Sequence, residues 1–223
     1  MRQTSFAEAF LRAIFLFSLL VAAVTNVQAG RISAGAYNGY AVDNTGAVWI
    51  WGANLYGQLC DGSLTHRGSA GKLSGLSDVV TVSAGGAHAL TLKTDASAAA
   101  WGLNSLDSSL RGGGQVGDGT YVNRGTPVAV SKLSGAQQVV AGQYHSLAVL
   151  SDATVRAWGF NDAGQLGDGT KITRNEPVGV VGLGDVSAVS AGCDHSVALK
   201  TDGSVWSWGF NSTGQLGDGS NQD

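Results

Sequence analysis

Past the first thirty residues the chain never holds a helical period. Apolar residues alternate with small or polar ones in short runs, as in Val186–Ala191, Ser196–Lys200 and Val205–Trp208. Alternation over four to eight residues predicts half-buried strands. Thr201-Asp202-Gly203-Ser204 stands between two of these runs and predicts a tight hairpin, because Asp-Gly supplies the positive φ that such turns require. The composition agrees. There are 34 glycines against 2 prolines, with no collagen-like period, so turns are many. Glu8 and Glu176 are the only glutamates, and strong helix formers give way to Val, Thr, Ser and Trp.

The N-terminus follows a different pattern. Arg2 and Arg12 flank a polar start, Ala13–Val24 is an apolar run of 12 residues, and Val27-Gln28-Ala29 follows. The run is shorter than the roughly 20 residues that cross a bilayer. Small residues lie where a signal peptidase reads. Residues 1–29 are therefore predicted to be a signal peptide cleaved after Ala29, giving a secreted or periplasmic product with no membrane attachment. Cleavage leaves 11 basic against 15 acidic residues, net −4, which argues against a nucleic-acid surface.

Self-similarity decides the architecture. A six-residue Gly-Gln-rich motif begins at Gly57, Gly114, Gly164 and Gly214, with steps of 57, 50 and 50 residues. The loop aspartates are Asp61, Asp118, Asp168 and Asp218. A Trp-Gly pair precedes each copy, at Trp51, Trp101, Trp158 and Trp208. Farther upstream Ala-Gly begins at Ala34, Ala84, Ala141 and Ala191, and three copies continue to His88, His145 and His195, where the first has Asn38. Pro127–Val130 and Pro177–Val180 close two of the units. Four short antiparallel strands per unit of about fifty residues suit a propeller blade. The units run over residues 32–78, 79–138, 139–185 and 186–223.

These motifs resemble the regulator of chromosome condensation repeat family over essentially all of residues 32–223. The resemblance implies an all-β propeller, which in that family is normally seven-bladed. Four repeats then make an incomplete arc, with a closed four-bladed ring as the alternative. An arc with open edges is expected to self-associate. Ala70–Leu73 marks the first inter-repeat segment as worn and shortened.

The candidate chemistry is sparse. His88, His145 and His195 recur one per blade, too far apart to share an ion. They read as buried groups bonded to their own blade's backbone. The Gly-Gln loop lacks the helix or lysine that phosphate cradling needs, and one Asp per copy is too few for calcium. The four tryptophans read as core. Asp61–Arg67, Asp118–Arg124 and Asp168–Arg174 share a spacing of six and read as pairs tying each loop to the next blade. Cys60 and Cys193 lie at unrelated repeat positions and are expected unpaired. No metal, cofactor or catalytic constellation is indicated, and a mature chain with a single Glu is poor in paired carboxylates.

Counting reversals places the Ala-Gly-x-x-His turns and the Gly-Gln loops on one face, and the Asp-Gly hairpins on the other. Within the fixed motifs, the varying positions on the first face include Tyr37, Tyr56, Tyr144 and Asp194, and repeat two adds a loop with Leu106 and Arg111. Tyr and Arg are favoured interface anchors, so these six residues are the expected contacts for a protein partner. Three functions are open, the first two implied by the resemblance. The first is a secreted, non-catalytic binder, like the family's secreted β-lactamase inhibitors. The second is an exchange factor for a small GTPase, like the founding member. The third, an extracellular carbohydrate-active enzyme on a propeller scaffold, lacks clustered carboxylates.

Overall fold

The computed structural model describes residues 31–106 and 112–222. The export signal over residues 1–29 and Arg111 lie outside them. Among the described residues, fifteen strands and no helix form four antiparallel sheets. The first sheet is β1 (Ile32–Ala34), β2 (Asn38–Val42), β3 (Val48–Gly52) and β4 (Arg67–Lys72). The second is β5 (Val79–Ala84), β6 (His88–Lys93), β7 (Ala98–Gly102) and β8 (Arg124–Ala129). The third is β9 (Ala136–Ala141), β10 (His145–Leu150), β11 (Val155–Gly159) and β12 (Arg174–Gly179). In the fourth the described strands are β13 (Val186–Ala191), β14 (His195–Lys200) and β15 (Val205–Gly209).

Within each sheet the strands neighbour one another in chain order, which is the meander of a propeller blade. The first strands, β1, β5, β9 and β13, pack on one another from sheet to sheet and line the axis. Close packing joins each sheet to the next and no comparable packing joins the first to the fourth, so the described blades form an open arc. Two expectations need correction. The boundary at 138/139 falls inside β9, which begins at Ala136. The outer strands start at Arg67, Arg124 and Arg174, upstream of the Pro-Val pairs, and the worn first segment still forms β4.

The core is one apolar layer per joint between neighbouring blades. Tyr40, Val48, Ile50 and Leu59 of blade one meet Val79, Val82 and Trp101 of blade two. Leu90, Ala100 and Val116 meet Val139, Ala148 and Trp158 at the second joint. Leu147, Ala157 and Leu166 meet Val186, Val189 and Ala198 at the third. At the arc's open ends the corresponding residues face outward: Ile32 is 79% exposed, Trp51 37% and Val205 67%. Trp51 is thus an exception to the reading of the tryptophans as core, because no described blade precedes it.

Each blade needs one glycine at the end of its third strand. Gly52, Gly102, Gly159 and Gly209 have φ of 109°, 101°, 103° and 103°, and a Cβ there would collide with the carbonyl of Tyr37, Ala87, Tyr144 or Asp194. The left-handed conformation and the close approach both select Gly. They bring the inner turn of each blade against its outer loop, on the same face.

Candidate functional site

The joints explain the repeated polar residues. Ser146 Oγ donates to the Gln115 carbonyl at 2.8 Å, and Trp158 Nε1 donates to the same oxygen at 3.0 Å. His88 Nε2 lies 3.0 Å from Ser146 Oγ. The single hydroxyl proton is committed to Gln115, so His88 Nε2 must be the donor, which fixes its tautomer. The next joint repeats this, with His145 2.9 Å from Ser196 Oγ, and Ser196 and Trp208 both on the Gln165 carbonyl. These histidines are buried, but their partner is the following blade's serine rather than their own blade's backbone. Burial, with the neighbouring imidazole adding to it, holds His88 down to about 3. Burial, again helped by a neighbouring imidazole, that of His195, holds His145 down to about 4. Both are neutral at pH 7.

The first joint differs. Asn38 and Ala89 occupy the His and Ser positions. Asn38 Nδ2 donates to Tyr40 Oη at 2.7 Å, and Tyr40 Oη donates to the Gln58 carbonyl at 2.8 Å, beside Trp101 Nε1 at 2.9 Å.

The loop aspartates are turn-builders. Asp118 Oδ1 accepts from Thr120 N and Oγ1, and Asp168 Oδ1 accepts likewise from Thr170. Their Oδ2 atoms take Arg124 Nε at 2.5 Å and Arg174 Nε at 2.9 Å. Against partial burial, which raises it, these bonds hold each carboxyl below its usual range. Arg124 and Arg174 open the outer strand of the same blade, so the pairs tie each loop to its own sheet and not to the next one. Asp61 bonds Ser63, and Arg67 acts on it only through its charge. Asp218 bonds Ser220. Cys60 is buried and Cys193 exposed, both as free thiols, and Cys193 Sγ donates to Gln143 Oε1. Among the described residues no three His, Cys, Asp or Glu side chains gather as a metal site.

The long-loop face carries a cleft of about 390 Å³ where blades one, two and three meet. Tyr37 and Tyr56 of blade one and Tyr144 of blade three line it, with Leu55, Ala87 and Leu103 completing an apolar wall. Gln58, Gln143 and His66 supply its polar atoms. Among the described residues its lining holds no Asp, Glu, Lys or Arg. Tyr144 is braced by an edge contact with Phe160, centroids 6.2 Å apart, and by a bond from Gln143 Nε2 at 2.9 Å. Three of the expected contacts therefore converge. Asp194 does not join them; it sits one blade on, accepting from Gln165 Nε2 at 3.4 Å. Leu106 is exposed on the second blade's loop, away from the cleft lining. Gln58 and His66 escaped sequence reasoning, and Ala87 stands among the varying turn positions without being read as a contact. The signal for Ala87 was its size, the smallest among Tyr37, Ala87, Tyr144 and Asp194.

Comparison with known proteins gives a consistent picture. Two profiles of the regulator of chromosome condensation (RCC1) repeat match the chain, one over residues 110–149 and 152–199, the other over 31–58, 136–165 and 186–215. Protein pim1 of Schizosaccharomyces pombe is 32% identical over 145 residues, covering 57% of this chain and 26% of the relative. The ultraviolet-B receptor UVR8 of Arabidopsis thaliana is 32% identical over 133 residues, covering 57% and 28%. Among solved structures, yeast RCC1 (Prp20) bound to Kap60 superposes with TM-score 0.72 at 24% identity, over 86% of this chain and 46% of that one. Human WBSCR16 gives 0.72 at 24%, over 86% and 50%. The chain thus spans under a third of these curated relatives and about half of these structures.

Proposed function

The chain belongs to the regulator of chromosome condensation (RCC1) repeat family, and from that membership and the aromatic cleft we propose that it is a secreted, non-catalytic propeller that binds another protein through its long-loop face. The observation that carries this reading is the convergence of Tyr37, Tyr56 and Tyr144 on one cleft whose described lining is apolar and uncharged apart from Gln58, Gln143 and His66. Tyrosine supplies a large contact area with few rotatable bonds and keeps a polar tip for hydrogen bonding. The repeat does not demand tyrosine at these positions, since Ala87 and Asp194 occupy the first set elsewhere and Ala163 and Thr213 the second. Secretion rests on the N-terminal pattern of residues 1–29.

The test is a partner isolated by crosslinking from the medium or periplasm of the producing cell, then titrated against purified variants. Replacing Tyr37, Tyr56 and Tyr144 together by Ala is expected to weaken binding by at least about 100-fold, given roughly 1–2 kcal/mol per anchor. Replacing Lys200, Thr201 and Asp202 on the opposite hairpin face should leave binding intact. The reverse pattern would overturn the proposal. The exchange-factor alternative rests on the same fold and makes a different prediction, acceleration of nucleotide release from a small GTPase.

A further inference from the structure

We propose that the cleft recognises an uncharged, extended segment of the partner by two contacts: an apolar side chain seated among Tyr37, Tyr56 and Tyr144, and an adjacent main-chain carbonyl accepting from the Gln58 side-chain amide. This deepens, and rests on, the protein-binding reading above.

One residue of the Gly-Gln loop meets different surroundings from repeat to repeat. In every Gly-Gln loop the Gln side-chain oxygen accepts a backbone N–H two residues upstream: Tyr56 N at 2.8 Å, Gly113 N at 2.6 Å, Ala163 N at 3.1 Å and Thr213 N at 2.8 Å. That bond fixes which end is oxygen and leaves Nε2 for the inner turn of the following blade. What meets it differs from joint to joint. Asp194 accepts from Gln165 Nε2. Gln115 Nε2, in the joint that carries Tyr144, is sealed from solvent without a partner. At Gln58 the turn offers Ala87, whose side chain has nothing to accept with, and the space a larger residue would take is open as the cleft.

Gln58 is 2% exposed, its Nε2 makes no bond among the described residues, and it is not among the fully sealed unpaired atoms. It is a buried, pre-aimed donor at the floor of an aromatic cleft. Such a donor gains an acceptor when a ligand arrives, and ligand sites typically pair an apolar wall with a few such placed polar groups. Among the described residues the lining has no carboxylate and no lysine or arginine, so they offer a charged occupant no compensation for its desolvation. A peptide segment supplies a neutral carbonyl next to each side chain, and its N–H groups are donors of the kind a Tyr hydroxyl accepts.

The test uses the full chain, labelled with ¹⁵N, and N-acetyl-phenylalanine methylamide as the probe. Ethylbenzene, which keeps the ring and lacks the carbonyls, and methyl β-glucoside are the comparison ligands. The expected result is a saturable shift of the Gln58 side-chain NH₂ resonances with the Phe probe and at least about tenfold weaker binding of the other two. Ala87→Asp gives Gln58 the acceptor that Asp194 gives Gln165 and should abolish the shift. Gln58→Glu keeps the oxygen that holds Tyr56 N and removes the donor. It should also abolish probe binding, independently of how Ala87→Asp folds. Unmoved Gln58 resonances, or wild-type affinity in Gln58→Glu, would overturn the inference. Preferential binding of the glucoside would overturn it in favour of a sugar site. If the partner needs the tyrosines but not the Gln58 donor, this inference falls and the protein-binding reading stands. If the probe binds but the partner ignores the tyrosines, the protein-binding reading falls.

Discussion

Acid should loosen this propeller well before its carboxylates protonate, because two of its joints contain histidines that must stay neutral. The ordinary imidazole value is 6.5, and His88 and His145 are held near 3 and 4. The unfolded chain therefore takes up protons as pH falls through 6.5, while the folded chain refuses them until pH 3–4. Stability from these residues is complete above 6.5 and is lost as pH falls toward the folded values. Between those limits each histidine costs about 1.4 kcal/mol per pH unit. From pH 7 to pH 5 that is about 2 kcal/mol per residue, and about 4 kcal/mol for the pair. Against a typical total of about 5–15 kcal/mol, this is a large share. The loop carboxylates do not confuse the interval, because Asp61, Asp118 and Asp168 are held below 3.8 and remain ionised throughout it. The assay is urea unfolding at pH 7 and pH 5, followed by tryptophan fluorescence and circular dichroism. The control replaces His88 and His145 together by Asn, the residue that blade one already carries at Asn38. This variant should be weaker at pH 7 by about 1–3 kcal/mol per site, yet lose less than about 1 kcal/mol more on going to pH 5. A wild-type protein indifferent to this pH step, or a double variant with the wild-type slope, would refute the reasoning.

Three further outcomes follow. Tyr40→Phe should cost about 1–3 kcal/mol in the same unfolding assay, since it leaves buried Asn38 Nδ2 and one lone pair of the Gln58 carbonyl unserved. Secreted material should begin at Gly30 on N-terminal sequencing, and material beginning at Met1 would remove the export proposal. Sedimentation of the mature protein should show self-association through the open end blades, where Ile32, Trp51 and Val205 are uncovered; a monodisperse monomer at micromolar concentration would count against it.

The strands, their order and the repeat count were legible because alternation and period survive drift. Val186–Ala191 and the Asp202-Gly203 turn read correctly from local pattern alone. The burial of His88 and His145 was legible too, but not their partners. Periodicity says that a residue recurs, not which neighbouring blade lies over it, and Ser146 is 58 positions from His88. The same limit misassigned Arg124 and Arg174, whose spacing from Asp is compatible with the next sheet or their own. In the cleft the tyrosines were found because they vary inside fixed motifs. Gln58 was hidden for the opposite reason, being identical in every repeat, and Ala87, though it varies in the same turn, was passed over because a missing side chain carries no chemistry of its own.

The first joint shows what this family of contacts requires. At each of the three joints the Gly-Gln loop presents a Gln carbonyl that takes an indole N–H and a hydroxyl. At the second and third joints the hydroxyl is Ser146 or Ser196, and a histidine serves that serine. At the first, Ala89 has no hydroxyl, and the need is met from the other side of the interface by Tyr40, itself served by Asn38. A buried carbonyl with two lone pairs keeps its demand whichever blade answers it, so the residue is replaceable and the bond is not. Tyr40 also packs against Trp101, centroids 6.2 Å apart, and fills volume that Leu90 and Leu147 fill in the other blades. Blades one and two are therefore fastened through the main chain of Gln58, without the histidine and serine that flank the turn elsewhere. That leaves Ala87 and Ala89 beside the turn, and the Gln58 side chain without a protein acceptor. The joint that departs most from the repeat is the one that opens a cleft with a donor at its floor.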